Sequence, residues 1–248
     1  MPAILNRVAP SHGEVRALLR DAECLQRERF ETEFADVLAL VDDASSLLVK
    51  VLGMAVGRGG DVEIDVDDET GAPSEADAAT VQLIALRYLG IRGVRTVRAA
   101  QSVLATGYEP EARVCERILL EIIEHTQSIL KDRSGRTALE WLNGNRRRGV
   151  TRRVQAMGTG DLYSRLSRDS HGDPDPVVAL IDPKYAVEIG PRRTLATRVA
   201  LVRHAAYCRD HAVALCRAVD ITLNGLPALD ARIFASWSAI GPTHTTAS

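Results

Sequence analysis

Hydroxyls, guanidinium groups and an imidazole crowd into one stretch, Tyr163-Ser-Arg-Leu-Ser-Arg-Asp-Ser-His171-Gly-Asp-Pro174, where a helix should stop. On a helix beginning near residue 161, Ser164, Ser167, Arg168 and His171 fall at offsets of three, four and seven and share a face. Leu162 and Leu166 then turn together toward a core, and Arg165 lies about 120° from His171. Gly172 and two Asp-Pro pairs end the helix, leaving His171 beside its negative end, which favours imidazolium. An imidazole next to guanidiniums can move a proton and stabilise charge on a phosphate. The competing role for His171 is structural, as a cap holding the Asp-Pro turn. A serine hydrolase built on Ser170, His171 and Asp173 is disfavoured, because sequence neighbours do not form that triad's geometry and no G-x-S-x-G occurs.

A second concentration of chemistry precedes it. Arg146, Arg147, Arg148, Arg152 and Arg153 form the strong basic patch of the chain, suited to phosphate and hence to RNA. A solvated face, or ion pairing with acidic residues elsewhere, would use the same side chains, and no aromatic residue is interleaved for base stacking. Only Lys50, Lys131 and Lys184 are lysines among 31 basic residues, a bias that a GC-rich coding sequence explains. The net charge of -2 excludes a globally basic nucleic-acid coat and leaves room for a local patch.

The elements that must position these groups read as helices. Aromatics are 4% against 46% apolar residues, so the core is built from Ala, Val, Leu and Ile, which favours close-packed helices. Ser11-His-Gly-Glu14 is a capping box opening a long helix to about Val51, within an N-terminal region spanning 11–56. Residues 57–75 read as a mobile acidic loop, in which Val62, Ile64 and Val66 permit a short extended piece. Its carboxylates do not make a calcium loop, since Val66 stands where the sixth-position glycine would be. Ser74-Glu-Ala-Asp77 opens the main bundle, 76–238, with Gly90 and Gly93 expected to interrupt its first helix. Pro110 suits the first turn of a regular central helix reaching Leu130. A short helix lies between Ser134 and Gly144, a long one runs from Thr194 to about Leu223, a last one covers Pro227 to Trp237, and 239–248 should fray.

On the central helix, Arg117, Glu121 and His125 form a polar strip. Glu121, Glu124 and His125 lack the Glu-x-x-His spacing of a di-metal bundle, so no metal and no cofactor are expected. Cys24, Cys115, Cys208 and Cys216 are scattered, which fits a reducing cytoplasm. Neither a signal-like start nor an apolar run of about 18 residues is present, so no membrane partner is expected.

Three blocks together resemble a family of uncharacterised bacterial all-helical proteins grouped as a domain of unknown function. They are Ala99 to Glu121, then Lys131-Asp132 with Trp141-Leu142, then Tyr163-x-x-Leu-Ser-x-x-x-His171. More remotely, the chain is similar to HEPN domains, helical bundles of toxin and antiphage systems whose Arg-x(4 to 6)-His motif cuts RNA without metal. Arg165 to His171 has that spacing. The resemblance implies His171 as general acid/base for attack by an RNA 2′-hydroxyl, Arg165 as stabiliser of phosphate charge, and a dimer bringing two motifs together.

The expectation is therefore a single all-α domain, 1–248, a multi-helix bundle of seven to nine helices with one acidic loop and a short extended segment. Its function is either a metal-independent ribonuclease of stress or phage defence, using His171, Arg165, Arg168 and Ser167 with Arg146 to Arg153 holding RNA, or a non-catalytic helical module that dimerises or binds a protein partner. A helical-bundle metalloenzyme comes third.

Overall fold

The computed structural model describes residues 12–56, 64–144 and 194–240, together with Leu162, Ser164 and Leu166. These residues hold seven helices: α1 (His12–Glu33), α2 (Ala35–Val56), α3 (Glu75–Ala105), α4 (Glu109–Lys131), α5 (Arg136–Leu142), α6 (Thr194–Val219) and α7 (Leu226–Ile240). The chain is an all-α multi-helix bundle, whose one β-type pairing among the described residues is an isolated bridge between Val66 and Pro73. No described helix is long and apolar enough to cross a membrane.

Where the expected 11–51 helix would run unbroken, the chain bends at Phe34. The hydrogen bonds Phe34 N–H to Phe30 O (3.0 Å) and Leu38 N–H to Phe34 O (2.8 Å) carry the ladder through the bend, so the apolar stripe stays in phase and periodicity does not register it. Both rings are buried, with centroids 5.3 Å apart.

Cross-helix pairs give the directions. Asp36 meets Arg198 and Ser45 meets Cys208, so α2 and α6 run parallel. Asp42 meets Arg98, while Leu52 lies against Gly90, so α3 runs antiparallel to α2. Gly93 faces Ile122, and Gln82 donates to Ile129 O (3.2 Å), which makes α4 antiparallel to α3. Helix α7 folds back on α6 and is tied to it by Arg209 and Asp230 at 2.5 Å, and to α2 by Arg232 and Asp43. One contiguous core draws on all seven helices, from Phe30 in α1 to Ile240 in α7.

Gly90 and Gly93 do not break α3, which is continuous for 31 residues. Both are buried, and a Cβ on Gly90 would lie 3.0 Å from the His211 ring and from Leu52 Cδ2. At Gly90 the missing side chain leaves room for the His211 ring and Leu52, against a helical cost of roughly 1 kcal/mol for a glycine. Ser74 caps α3 as expected, accepting from Asp77 N–H at 3.2 Å.

The described half of the acidic loop, 64–74, is a hydrogen-bonded turn. Asp67 accepts from the Glu69 and Thr70 amides and the Thr70 hydroxyl, and the Thr70 bonds hold its carboxyl below the usual range. Opposite this turn, Gly135 stands just before α5 with φ +73°. A Cβ there would sit 2.9 Å from the Ala78 backbone and from Pro73. Gly135→Ala therefore combines left-handed strain with a clash against backbone, and urea denaturation should show a loss of about 2–4 kcal/mol. A loss under about 0.5 kcal/mol would mean that α5 shifts at no cost. The α5 amides are capped from a distance. Asp132 accepts from Thr137 N–H (2.6 Å) and from the Ser134 amide and hydroxyl. Burial raises its carboxyl, and these hydrogen bonds outweigh that and hold it down at about 2.

Candidate functional site

Arg165, Ser167, Arg168 and His171, and the arginines 146, 147, 148, 152 and 153, lie outside the described residues, as do Val62 and the tail 241–248. Two residues of the first motif, Ser164 and Leu166, are described, with Leu162 just before it. Leu162, Ser164 and Leu166 are helical; the leucines are buried together against Leu120 of α4 and Tyr207 of α6, and Ser164 is exposed. The inward leucines and outward serine are the faces that the helical reading assigns.

The two helices that carry Leu120 and Tyr207, α4 and α6, also enclose a seam of buried polar residues. Helix α4 is central, as expected, but its buried residues include Glu116, Glu124 and Thr126, whereas the apolar Val114, Cys115, Ile118 and Ile123 are half-buried. The polar strip forms in part. Arg117 Nε lies 3.7 Å from Glu121 Oε1, while His125 Nδ1 lies 3.3 Å from Glu124 Oε2 and its ring leans on Trp141. Ser128 donates to the other Glu124 oxygen at 2.8 Å.

Two histidines face this seam from α6, seven residues apart, and their environments differ. His211 Nε2 donates to the Leu86 carbonyl of α3 at 2.8 Å, which places the proton on Nε2, and Nδ1 lies 3.2 Å from the Thr126 hydroxyl of α4. It cross-links three helices, and burial lowers its pKa. His204 is 0% exposed, and neither ring nitrogen has a hydrogen-bond partner. Its Nε2 lies 4.0 Å from Glu116 Oε1, and Arg203 Nη1 lies 3.9 Å from Glu116 Oε2. Burial, and then the Arg203 charge, push the His204 pKa down to about 3, so the ring is neutral near pH 7 and its approach to Glu116 is not an ion pair. Tyr207, one turn further along, packs against Leu120, Leu162 and Leu166; burial, and then the Glu116 charge, raise its phenol pKa.

Carboxylate, neutral imidazole and phenol are the groups of a proton relay, yet a fully buried His204 cannot meet a polymer. Leu162 and Leu166 rest on Leu120 of α4 and Tyr207 of α6. Among the described residues no group of three His, Cys, Asp or Glu side chains is arranged to hold a metal ion. The spacing Arg-x(4 to 6)-His also recurs at Arg198 to His204. There Arg198 pairs with Asp36 of α2 (2.6 Å), while His204 faces Glu116 of α4, so the two do not converge. Sequence reading passed over Glu116, His204 and Tyr207. The available signal was the pair His204 and His211 at one heptad on an otherwise apolar helix face.

The chain matches no protein-family model, no curated protein and no solved structure.

Proposed function

We propose that the chain is a HEPN-like, metal-independent endoribonuclease of bacterial stress or phage defence, acting in the cytoplasm as a dimer. The observation that supports this reading is the burial of Leu162 and Leu166 against Leu120 of α4 and Tyr207 of α6 with Ser164 exposed, the two faces that a helical motif requires at those three positions. In this reading His171 removes the proton from a ribose 2′-hydroxyl, and the oxygen attacks the adjacent phosphorus. The 5′-oxygen leaves with a proton, giving a 2′,3′-cyclic phosphate and a 5′-hydroxyl. Arg165 or Arg168 stabilises the charge on the phosphoryl oxygens, Ser167 shares the site, and Arg146, Arg147, Arg148, Arg152 and Arg153 hold the strand.

The test is incubation of metal-stripped protein with mixed cellular RNA in chelator, beside a folded His171→Ala variant. Fragments ending in 2′,3′-cyclic phosphate from the parent protein alone are expected. A second reading, a non-catalytic interaction module, is favoured by Phe234, which stands 73% exposed on α7. It predicts no cleavage by either protein, and self-association weakened by Phe234→Ala. Cleavage that requires added metal would instead favour the metalloenzyme.

A further inference from the structure

The outward face of α3 carries an unpaired basic ridge that neither reading uses. Its acidic residues, Glu75 and Asp77, are confined to the first turn, so from residue 78 to 105 the helix bears Arg87, Arg92, Arg95 and Arg98 and no acid. Arg98 is matched by Asp42 of α2 at 2.6 Å. Arg87, Arg92 and Arg95 have no ion-pair partner among the described residues, and Arg92 and Arg95 are exposed. Tyr88 is 60% exposed, and Tyr88, Arg92 and Arg95 follow at i, i+4 and i+7, on one face. Ile91, also exposed, lies between them on that face.

An acid-free row of exposed guanidiniums is complementary to a row of phosphates, and an exposed phenol beside it offers a surface for an unstacked base. We infer that this α3 face, Tyr88 with Arg92 and Arg95, binds single-stranded RNA. An acidic protein segment would use the arginines without the ring, and a duplex would keep its bases stacked and leave Tyr88 unused. The inference deepens the nuclease reading by adding where the strand lies, and it rests on that reading only for its biological purpose.

The experiment is a fluorescence-anisotropy titration with a labelled 2′-O-methyl RNA oligonucleotide in chelator, which a 2′-hydroxyl nuclease cannot cut. Arg92→Gln/Arg95→Gln should weaken binding at least 10-fold and lower the log–log salt slope by about 1.4, at about 0.7 per lost phosphate contact. Tyr88→Ala should weaken binding by about 5- to 100-fold and leave the salt slope unchanged. All three positions are outward, and their replacements are good helix formers, so melting temperatures should match the parent. Absence of binding by the parent, or binding unaltered in both variants, overturns the inference. So does equal affinity for a poly-glutamate-competed site that is insensitive to Tyr88→Ala, which would indicate an acidic protein partner. Binding of the uncuttable strand without cleavage of ordinary RNA would sink the nuclease and leave the ridge; cleavage with unaltered binding in both ridge variants would do the reverse.

Discussion

Between pH 6.5 and 4.5 the folded chain should lose up to about 1.4 kcal/mol of stability per pH unit through His204 alone. The sign follows from proton counting. Burial and the Arg203 charge hold the folded-state pKa of His204 at about 3, while in the unfolded chain the ring titrates near its ordinary 6.5. Within that interval the unfolded chain binds the proton and the folded chain does not, so acid drives unfolding. The lowered pKa of His211 acts in the same direction. The Asp132 carboxyl, held at about 2, stays ionised throughout this window and begins to contribute only as pH falls below its ordinary 3.8. Urea denaturation at four pH values should therefore show a steeper acid limb for the parent than for His204→Leu. At pH 7.5 the two should differ by less than about 1.5 kcal/mol, because the replacement is of similar size and removes two ring nitrogens without partners. Near pH 5 the variant should hold the advantage. Parallel profiles would show that His204 charges readily in the folded state and that the seam is wetter than its burial implies.

That histidine also marks where sequence reading stopped. Helix ends were legible where a local device sets them: the Ser74 cap, Pro110 in the first turn of α4, and the turn at Gly135 before α5 each sit where the pattern placed them. Gly90 was misread because its meaning is tertiary. A glycine costs the same in a helix whether it bends the chain or admits a neighbour, and only the His211 ring at 3.0 Å separates the two cases. Phe34 escaped for the converse reason, since a bend that preserves the hydrogen-bond ladder preserves the apolar phase. On α4, periodicity identified a central helix and gave no sign that Glu116 and Glu124 would be buried. A helix covered on nearly every side has no polar face for such residues, so they are buried with partners from α6 and from their own turns. Ahead of His171, which lies outside the described residues, Leu162 and Leu166 are buried and Ser164 is exposed, as the helical pattern requires at those positions. A motif defined by spacing alone carried less, as Arg198 to His204 has the same interval and opposite destinations.

On the nuclease reading, His171→Ala should lower the rate of RNA cleavage by about 10²- to 10⁴-fold, the usual worth of a positioned acid/base group. A structural cap at that position would instead lower stability and leave any turnover of the folded fraction unchanged, so the rate is to be normalised to folded protein. The two arginines separate by geometry. Arg168 shares the His171 face of a regular helix and Arg165 lies about 120° away, so the residue whose loss costs about 10²- to 10³-fold in kcat identifies which one meets the charge on the phosphate. If Arg165 is that residue, the helix must end or the dimer partner must complete the site; if Arg168 is, one helix face suffices. Neutralising Arg146, Arg147, Arg148, Arg152 or Arg153 should act differently, raising KM with kcat nearly constant and lowering the salt slope by about 0.7 for each phosphate contact removed. Leu166→Ala provides the positional control. It empties part of the seat against Leu120 and Tyr207 while leaving every reacting group in place, so it should reduce kcat and leave the pH dependence of cleavage at its parental midpoint. Undiminished cleavage in His171→Ala would remove the motif from the chemistry altogether.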